Sequence, residues 1–289
     1  MTDLRRRLPG TGRGIRVAVV DSGLNPAHTH VAPVSGGVWI RSLGGGRIAH
    51  EEDWRDRLGH GSAVGGAIRA VAPDVELLAV RIFDDRPGAT ADQLVGAIRW
   101  AIGNRVHIVN LSLCTPNRAH EARLQEVCRL AAENGVVVVA AGPHVPATLP
   151  VAIGVAAGDV PEFGLLPADP PLDFLAYGHP RTLPGNRPNF SGHSFAAARV
   201  SGFLARLLSA QVADAAFASA SASASASVSV SASASASGSE SASDPATAAA
   251  TAAVTATVGA AVGAAVAALR AACRLQERAG NPPRSAVGH

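Results

Sequence analysis

From residue 15 onward, short apolar runs alternate with stretches whose apolar residues recur at helical spacing. Residues 15–20 (IRVAVV) are a continuous, mostly β-branched run that stops at Asp21-Ser22-Gly23, the pattern of a buried strand entering a turn. Residues 61–71 carry small and apolar side chains at helical spacing and end before Pro73. Residues 75–83 (VELLAVRIF) predict a second strand, and 91–102 a helix with Leu94, Val95, Ile98 and Ile102 on one face. A third strand is expected at 106–113 (VHIVNLSL), then a helix at 120–133 with Leu124, Val127, Cys128 and Ala131 as its stripe. Residues 135–141 (GVVVVAA) and 151–156 predict two more strands, 160–188 proline-rich loops, and a last helix opens near Ser194 and runs to about Leu208.

Strands that are apolar on both faces and separated by helices predict a parallel central sheet flanked by helices, an α/β fold. In such sheets a site is expected beyond the carboxyl ends of the strands. Asp21 and the segment around Gly142 both sit at such ends.

Composition changes the picture only at the C-terminal side. The chain has 289 residues, 47% of them hydrophobic, but 219–243 is almost pure alanine and serine and 246–272 is alanine-rich. Alanine buries little area, so an ordinary core is expected to end near Leu208. The expected division is an α/β domain at 1–210, a flexible Ala/Ser-rich low-complexity linker at 211–245, and an Ala-rich helix with a short tail at 246–289. The strict period of two at 219–243 also fits silk-like strands on self-association. Asp244-Pro245 has the form of an N-cap and first helical residue, and Val254, Val258, Val262, Val266 and Leu269 make one narrow stripe. The absence of charge from 245 to 269 and Gly259-x-x-x-Gly263 raise a membrane span. Weak transfer energy, and Arg270, Arg274 and Arg278 at the end, favour instead a helix docked on the domain or self-associated.

Charge and cysteine count exclude several classes. All 25 basic residues are arginine and the net charge is only +3, too small and scattered for nucleic acid. Three cysteines cannot frame a small disulfide scaffold, and the odd number suits a reducing compartment. No apolar run follows Arg5-Arg6-Arg7, so no secretory signal is expected and the location is cytoplasmic. His28 and His30, and the run Glu51-Glu52-Asp53, are read as ordinary loop and solvated residues, with no metal or cofactor expected.

Three patterns carry chemistry. Asp21 is a carboxylate at a buried strand end, His60 opens a helix of small residues in GHGSAV, and Ser194 opens another in SGHSFAAA. Acyl transfer needs a nucleophilic hydroxyl, an imidazole to take its proton, and a buried carboxylate to orient the imidazole. A helix N-terminus beneath the serine turns N–H groups toward a developing oxyanion.

VAVVDSG, GHGSAVGGAI and SGHSFAAARVSG, in the order Asp, His, Ser, resemble the three signatures of the subtilisin-like serine proteases. Between them, Val109-Asn110-Leu111-Ser112-Leu113 is similar to the family's substrate-binding strand. Val138-Val139-Ala140-Ala141-Gly142 is similar to the strand under its specificity pocket, and Val145-Pro146-Ala147 with 151–156 to the stretch that follows. The resemblance covers about 14–208. It implies a subtilisin-like fold, Asp21 as orienting acid, His60 as base and then acid, Ser194 as nucleophile, and a peptide or protein as substrate.

Departures from the family bear on activity and range. Pro143 stands where the resemblance implies an oxyanion-binding asparagine, and proline offers neither a side-chain amide nor a backbone N–H. In a subtilisin such a loss costs about 10²–10³ in kcat, or about 2.7–4 kcal/mol. His144 and His193 are the candidate substitute donors. Cys114 replaces a glycine and is expected to narrow or shift the groove lined by Leu111, Ser112, Leu113 and Cys114. Two readings follow: an endopeptidase of restricted range, suited to precursor or peptide maturation, or a peptide-binding pseudo-protease lacking effective oxyanion stabilisation.

Overall fold

The computed structural model describes residues 3–182, 189–226 and 260–274. In chain order its elements are β1 (Arg16–Asp21), β2 (Val34–Gly44), β3 (Arg47–Glu51), α1 (His60–Val71), β4 (Glu76–Arg81), α2 (Ala91–Gly103), β5 (Ile108–Leu111), α3 (Glu121–Glu133), β6 (Val137–Ala141), β7 (Ile153–Gly158), β8 (Leu165–Pro167), β9 (Phe174–Tyr177) and α4 (His193–Ala226). A further helix, α5, spans 260–274. The strands form one sheet in the order β3-β2-β4-β1-β5-β6-β7-β9-β8. Its interior pairings are parallel, and only the outermost strands β3 and β8 pair antiparallel.

Alternation along the strands divides the core in two. Val17 and Val19 of β1 join Val139 and Ala141 of β6 on the side covered by α1 and α4. Ala18, Val20, Val138 and Ala140 face the side covered by α2 and α3. The helix stripes legible in the pattern are the faces that meet the sheet: Leu94 and Ile98 in α2, Leu124, Val127 and Ala131 in α3. Thr90 and Gln93 close a capping box at the start of α2, and the Gln93 amide also donates to the carbonyls of Ile40 and Ile82.

Four strands were not expected from the pattern. β2 and β3 form a glycine-interrupted antiparallel pair at the sheet edge, with little of the apolar run that marks a buried strand. At Gly37 a Cβ would lie 2.3 Å from the Ala79 carbonyl, so only glycine lets β2 approach β4 there. β8 and β9 are short and lie inside the proline-rich stretch read as loop.

The expected end of the core near Leu208 is corrected. Helix α4 continues to Ala226, into the expected linker, because alanine has the highest helix propensity and serine is only moderately worse. Ala265, Leu269 and Cys273 of α5 are buried in the same cluster as α1 and α4, and Arg270 pairs with Asp173 at 2.6 Å. This helix is docked, and its seam is Ala265-Leu269-Cys273 at i, i+4, i+8; Val262 and Val266 are only partly buried. Full burial of Leu269 contributes about 1.5–3 kcal/mol. The expectations for 227–259, including the remaining linker, the Asp244-Pro245 cap, Val254, Val258 and Gly259, lie outside the described residues. Among the described residues no helix is long and apolar enough to cross a membrane.

Candidate active site

β1 ends on Asp21, whose side chain is fully buried. The chain returns after β3 through a loop that opens α1 at His60. Gly59, the residue before it, sits at φ +80, a conformation that glycine alone adopts without strain. A Cβ on Gly61 would meet the Gly23 carbonyl at 2.2 Å, so the small residues of this turn let α1 close on the end of β1. His60 Nδ1 then lies 2.9 Å from both carboxylate oxygens of Asp21. The Ser22 amide donates to Asp21 Oδ1 at 2.6 Å and fixes the carboxylate from its other side. Burial pulls the His60 ring toward its neutral form, but the hydrogen bond and charge of Asp21, joined by the charge of Asp56, outweigh it and hold His60 above its ordinary 6.5. Phe190 and Phe195 close around the ring, with centroids 5.5 and 5.4 Å away.

Ser194 is the second residue of α4 and lies on the same cleft as His60. Its hydroxyl donates to the Ser112 carbonyl at 3.2 Å, and among the described residues no hydrogen bond joins it to His60. Such contacts are often loose in a free enzyme and tighten around substrate. Seated at the helix N-terminus, Ser194 is backed by the positive end of the α4 dipole.

The cleft is a cavity of about 1000 Å³ that runs from His60 and Ser194 toward α2 and α3. Its walls include Ser112, Leu113 and Cys114 as expected, and also Phe83, Leu94 and Leu124, which the sequence marked only as core or strand. Leu111 and Ala140 are different. Their side chains are fully buried in the α2–α3 side of the core, because alternate residues of a strand point to opposite faces. Ala141 is buried on the other side, with α1 and α4. As members of strands these three can act at a groove only through their backbone.

At the end of β6 the space directly over Gly142 is taken by a side chain. Cys114 Sγ lies 2.7 Å from where a Cβ on Gly142 would be, and the Thr115 amide donates to the Val145 carbonyl at 2.8 Å. Burial pushes the Cys114 thiol up, against a weaker opposite pull from its hydrogen bond to the His144 backbone, so it is a spacer and a poor nucleophile. Pro143 and His144 are both exposed. His193 is anchored: its Nδ1 accepts from the Ala157 amide at 2.9 Å, and its Cδ2 edge lies 3.8 Å from the Cβ position of Gly142. Burial lowers the pKa of His193, and a neutral ring that accepts at Nδ1 carries its proton on Nε2. Among the described residues no group of three or more histidine, cysteine or carboxylate side chains is placed to hold a metal ion.

A buried strand-end carboxylate, an imidazole opening one helix and a serine opening another, all on one side of a parallel sheet, define an Asp-His-Ser class of α/β protein. A profile described as the Subtilase family matches residues 12–163, which hold Asp21 and His60. The chain belongs to the subtilase family. The profile match stops short of Ser194, whose assignment rests on geometry and on the motif around it. Subtilisin E of Bacillus subtilis (strain 168) is 29% identical over 224 residues, covering 69% of this chain and 56% of that protein. Subtilisin of Bacillus pumilus is 29% identical over 224 residues, covering 69% of this chain and 78% of its own length. Alkaline elastase YaB of Bacillus sp. (strain YaB) is 31% identical over 219 residues, covering 68% and 54%. The chain thus spans about half the length of the first and last of these relatives.

Proposed function

We propose that the chain is a serine endopeptidase of restricted range, hydrolysing peptide bonds through an acyl-enzyme. The observation that carries this reading is the buried Asp21–His60 pair, set at 2.9 Å on the cleft that also holds Ser194. In this reading His60 takes the Ser194 proton as the hydroxyl attacks the scissile carbonyl, and Asp21 stabilises the imidazolium that results. The proton then passes to the leaving amine, and a water repeats the sequence to release the acyl group. The Ser194 amide and the α4 N-terminus are donors to the oxyanion. The Nε2–H of His193 is the second, in place of the absent asparagine; its fixed tautomer and its position beside Gly142 favour it over His144.

Restricted range is supported by the closure of the β6 side by Cys114 and by the apolar walls of the long cavity, which suit a bulky apolar side chain of a peptide. Maturation of one peptide or protein precursor fits such a groove. Cys114 and Cys128 are free thiols, which supports work in a reducing compartment such as the cytoplasm.

The rival reading is a peptide-binding chain without turnover. Pro143, and the Ser194 hydroxyl engaged by the Ser112 carbonyl, favour it. A fluorophosphonate probe separates the two. The expected result is labelling of wild type and none of Ser194→Ala, with cleavage of a peptide library by wild type alone. Absence of both labelling and cleavage in a folded wild type defeats the endopeptidase reading.

A further inference from the structure

We propose that Asp56 is a positioning residue of the reaction, holding His60 toward Asp21 by tying the end of β1 to the first turn of α1. This rests on the reading of His60 as the base. Asp56 lies four residues before His60 in the loop that opens α1. Its Oδ1 accepts from the Ser22 hydroxyl at 2.7 Å and from the amides of Leu58 and Gly59 at 3.0 and 2.9 Å. Its Oδ2 accepts from the Ser62 amide and hydroxyl at 2.8 and 2.6 Å. Five donors on one carboxylate use all of its acceptor capacity, so the orientation of Asp56 is fixed.

The same network reaches Asp21. The Ser22 hydroxyl that donates to Asp56 accepts from the Gly61 amide at 2.9 Å, while the Ser22 amide donates to Asp21. The Ser62 hydroxyl in turn accepts from the Asn25 amide at 2.9 Å. Both residues that flank the Asp21–His60 contact, Ser22 on the strand side and Gly61 on the helix side, therefore hang from one carboxylate. Gly59, the N-cap of α1, brings no side chain to that job, and Asp56 performs the capping from three residues upstream.

Asp56 also acts through charge. Among the described residues the charges that bear on His60 are Asp21 from β1 and Asp56 from the loop, and the rings of Phe190 and Phe195 packed against it are neutral. Arg57, the neighbour of Asp56, is turned to Asp53 at 2.6 Å. Asp56 thus places a second negative charge behind the imidazolium that forms when His60 takes the proton.

The test is Asp56→Asn, which keeps the shape but sets an amide against the donors, compared with Ser22→Ala, which cuts the strut and keeps the charge. For Asp56→Asn the expected result is a kcat lowered by about 10–100-fold with KM little changed. The acid limb of its pH profile moves to lower pH, and the His60 ring titrates lower by NMR. Ser22→Ala lowers kcat without moving the limb, and the double variant loses less than the product of the two. A folded Asp56→Asn with wild-type kcat, or with reduced kcat but an unmoved His60 titration, overturns the proposal. If Asp56→Asn does not fold, normal kcat in both Ser22→Ala and Ser62→Ala overturns it. If wild type neither labels nor cleaves, the endopeptidase reading fails alone, and the His60 titration in the two proteins still decides the role of Asp56.

Discussion

The two halves of the cleft are built differently. On the side of β1 and α1, Asp21 and His60 are joined at 2.9 Å, and every group around them is hydrogen-bonded or packed. On the side of β6 and α4, the oxyanion donor expected at 143 is a proline, and Cys114 fills the space over Gly142. There the nucleophile itself points at a backbone carbonyl. The half set for proton transfer is fixed by several hydrogen bonds, while on the other half His193 is only the donor proposed for the oxyanion. Proton transfer needs one geometry of three side chains, whereas oxyanion stabilisation needs only donors at the right point, which several residue types supply.

The comparison is broken most severely by removing the nucleophile. Ser194→Ala is expected to lower kcat on the order of 10⁶-fold, the scale of that loss in a subtilisin, as read by peptide hydrolysis. Asp21→Asn comes next, at about 10⁴-fold, because the wrong imidazole tautomer is then favoured. Pro143→Asn adds a side-chain amide on the β6 side of the cleft. Because the Nε2–H of His193 is proposed as the second oxyanion donor, little gain in kcat is expected, and a gain of about 10²–10³-fold would mean that the second donor is missing. His193→Ala is expected to lower kcat by about 10²–10³-fold, whereas His144→Ala leaves it unchanged.

The pH profile tests the other half. His60 must be neutral to act as base, and Asp21 and Asp56 hold it above 6.5. Activity is therefore expected to fall as pH drops through a value above 6.5, and an acid limb below 6.5 would contradict the Asp21–His60 coupling. The smallest effect on catalysis is expected far from the cleft. Leu269→Ala should cost about 2–5 kcal/mol of stability in a denaturant titration with kcat unchanged, because α5 packs on the core and not on the site.

Much of this was legible along the chain. β1, β4, β5, β6 and β7 are continuous apolar runs, and runs of that kind are buried wherever the sheet places them. Asp21, His60 and Ser194 could be found because each sits beside glycine or small residues at the junction of an apolar run and a helix. Asp56 could not be singled out: an aspartate four residues before a helix is common, and only the closure of Ser22 and Ser62 onto it reveals its function. That the side chains of Leu111 and Ala140 lie in the core is shown only by the fold, since membership of a motif does not tell which face of a strand a side chain occupies.

The sequence by itself determined the α/β class, the order of the three reactive residues and the proline at 143, because periodicity and residue chemistry are local properties. Only the tertiary structure decided that Ala265, Leu269 and Cys273 complete the core, that the cavity runs toward α2 and α3, and that His193 and not His144 is anchored beside Gly142. The alanine-rich tail shows why. Its pattern gave a helix with a valine stripe, but which face is buried depends on the surface it meets, and that surface is assembled from strands and helices distant in the chain.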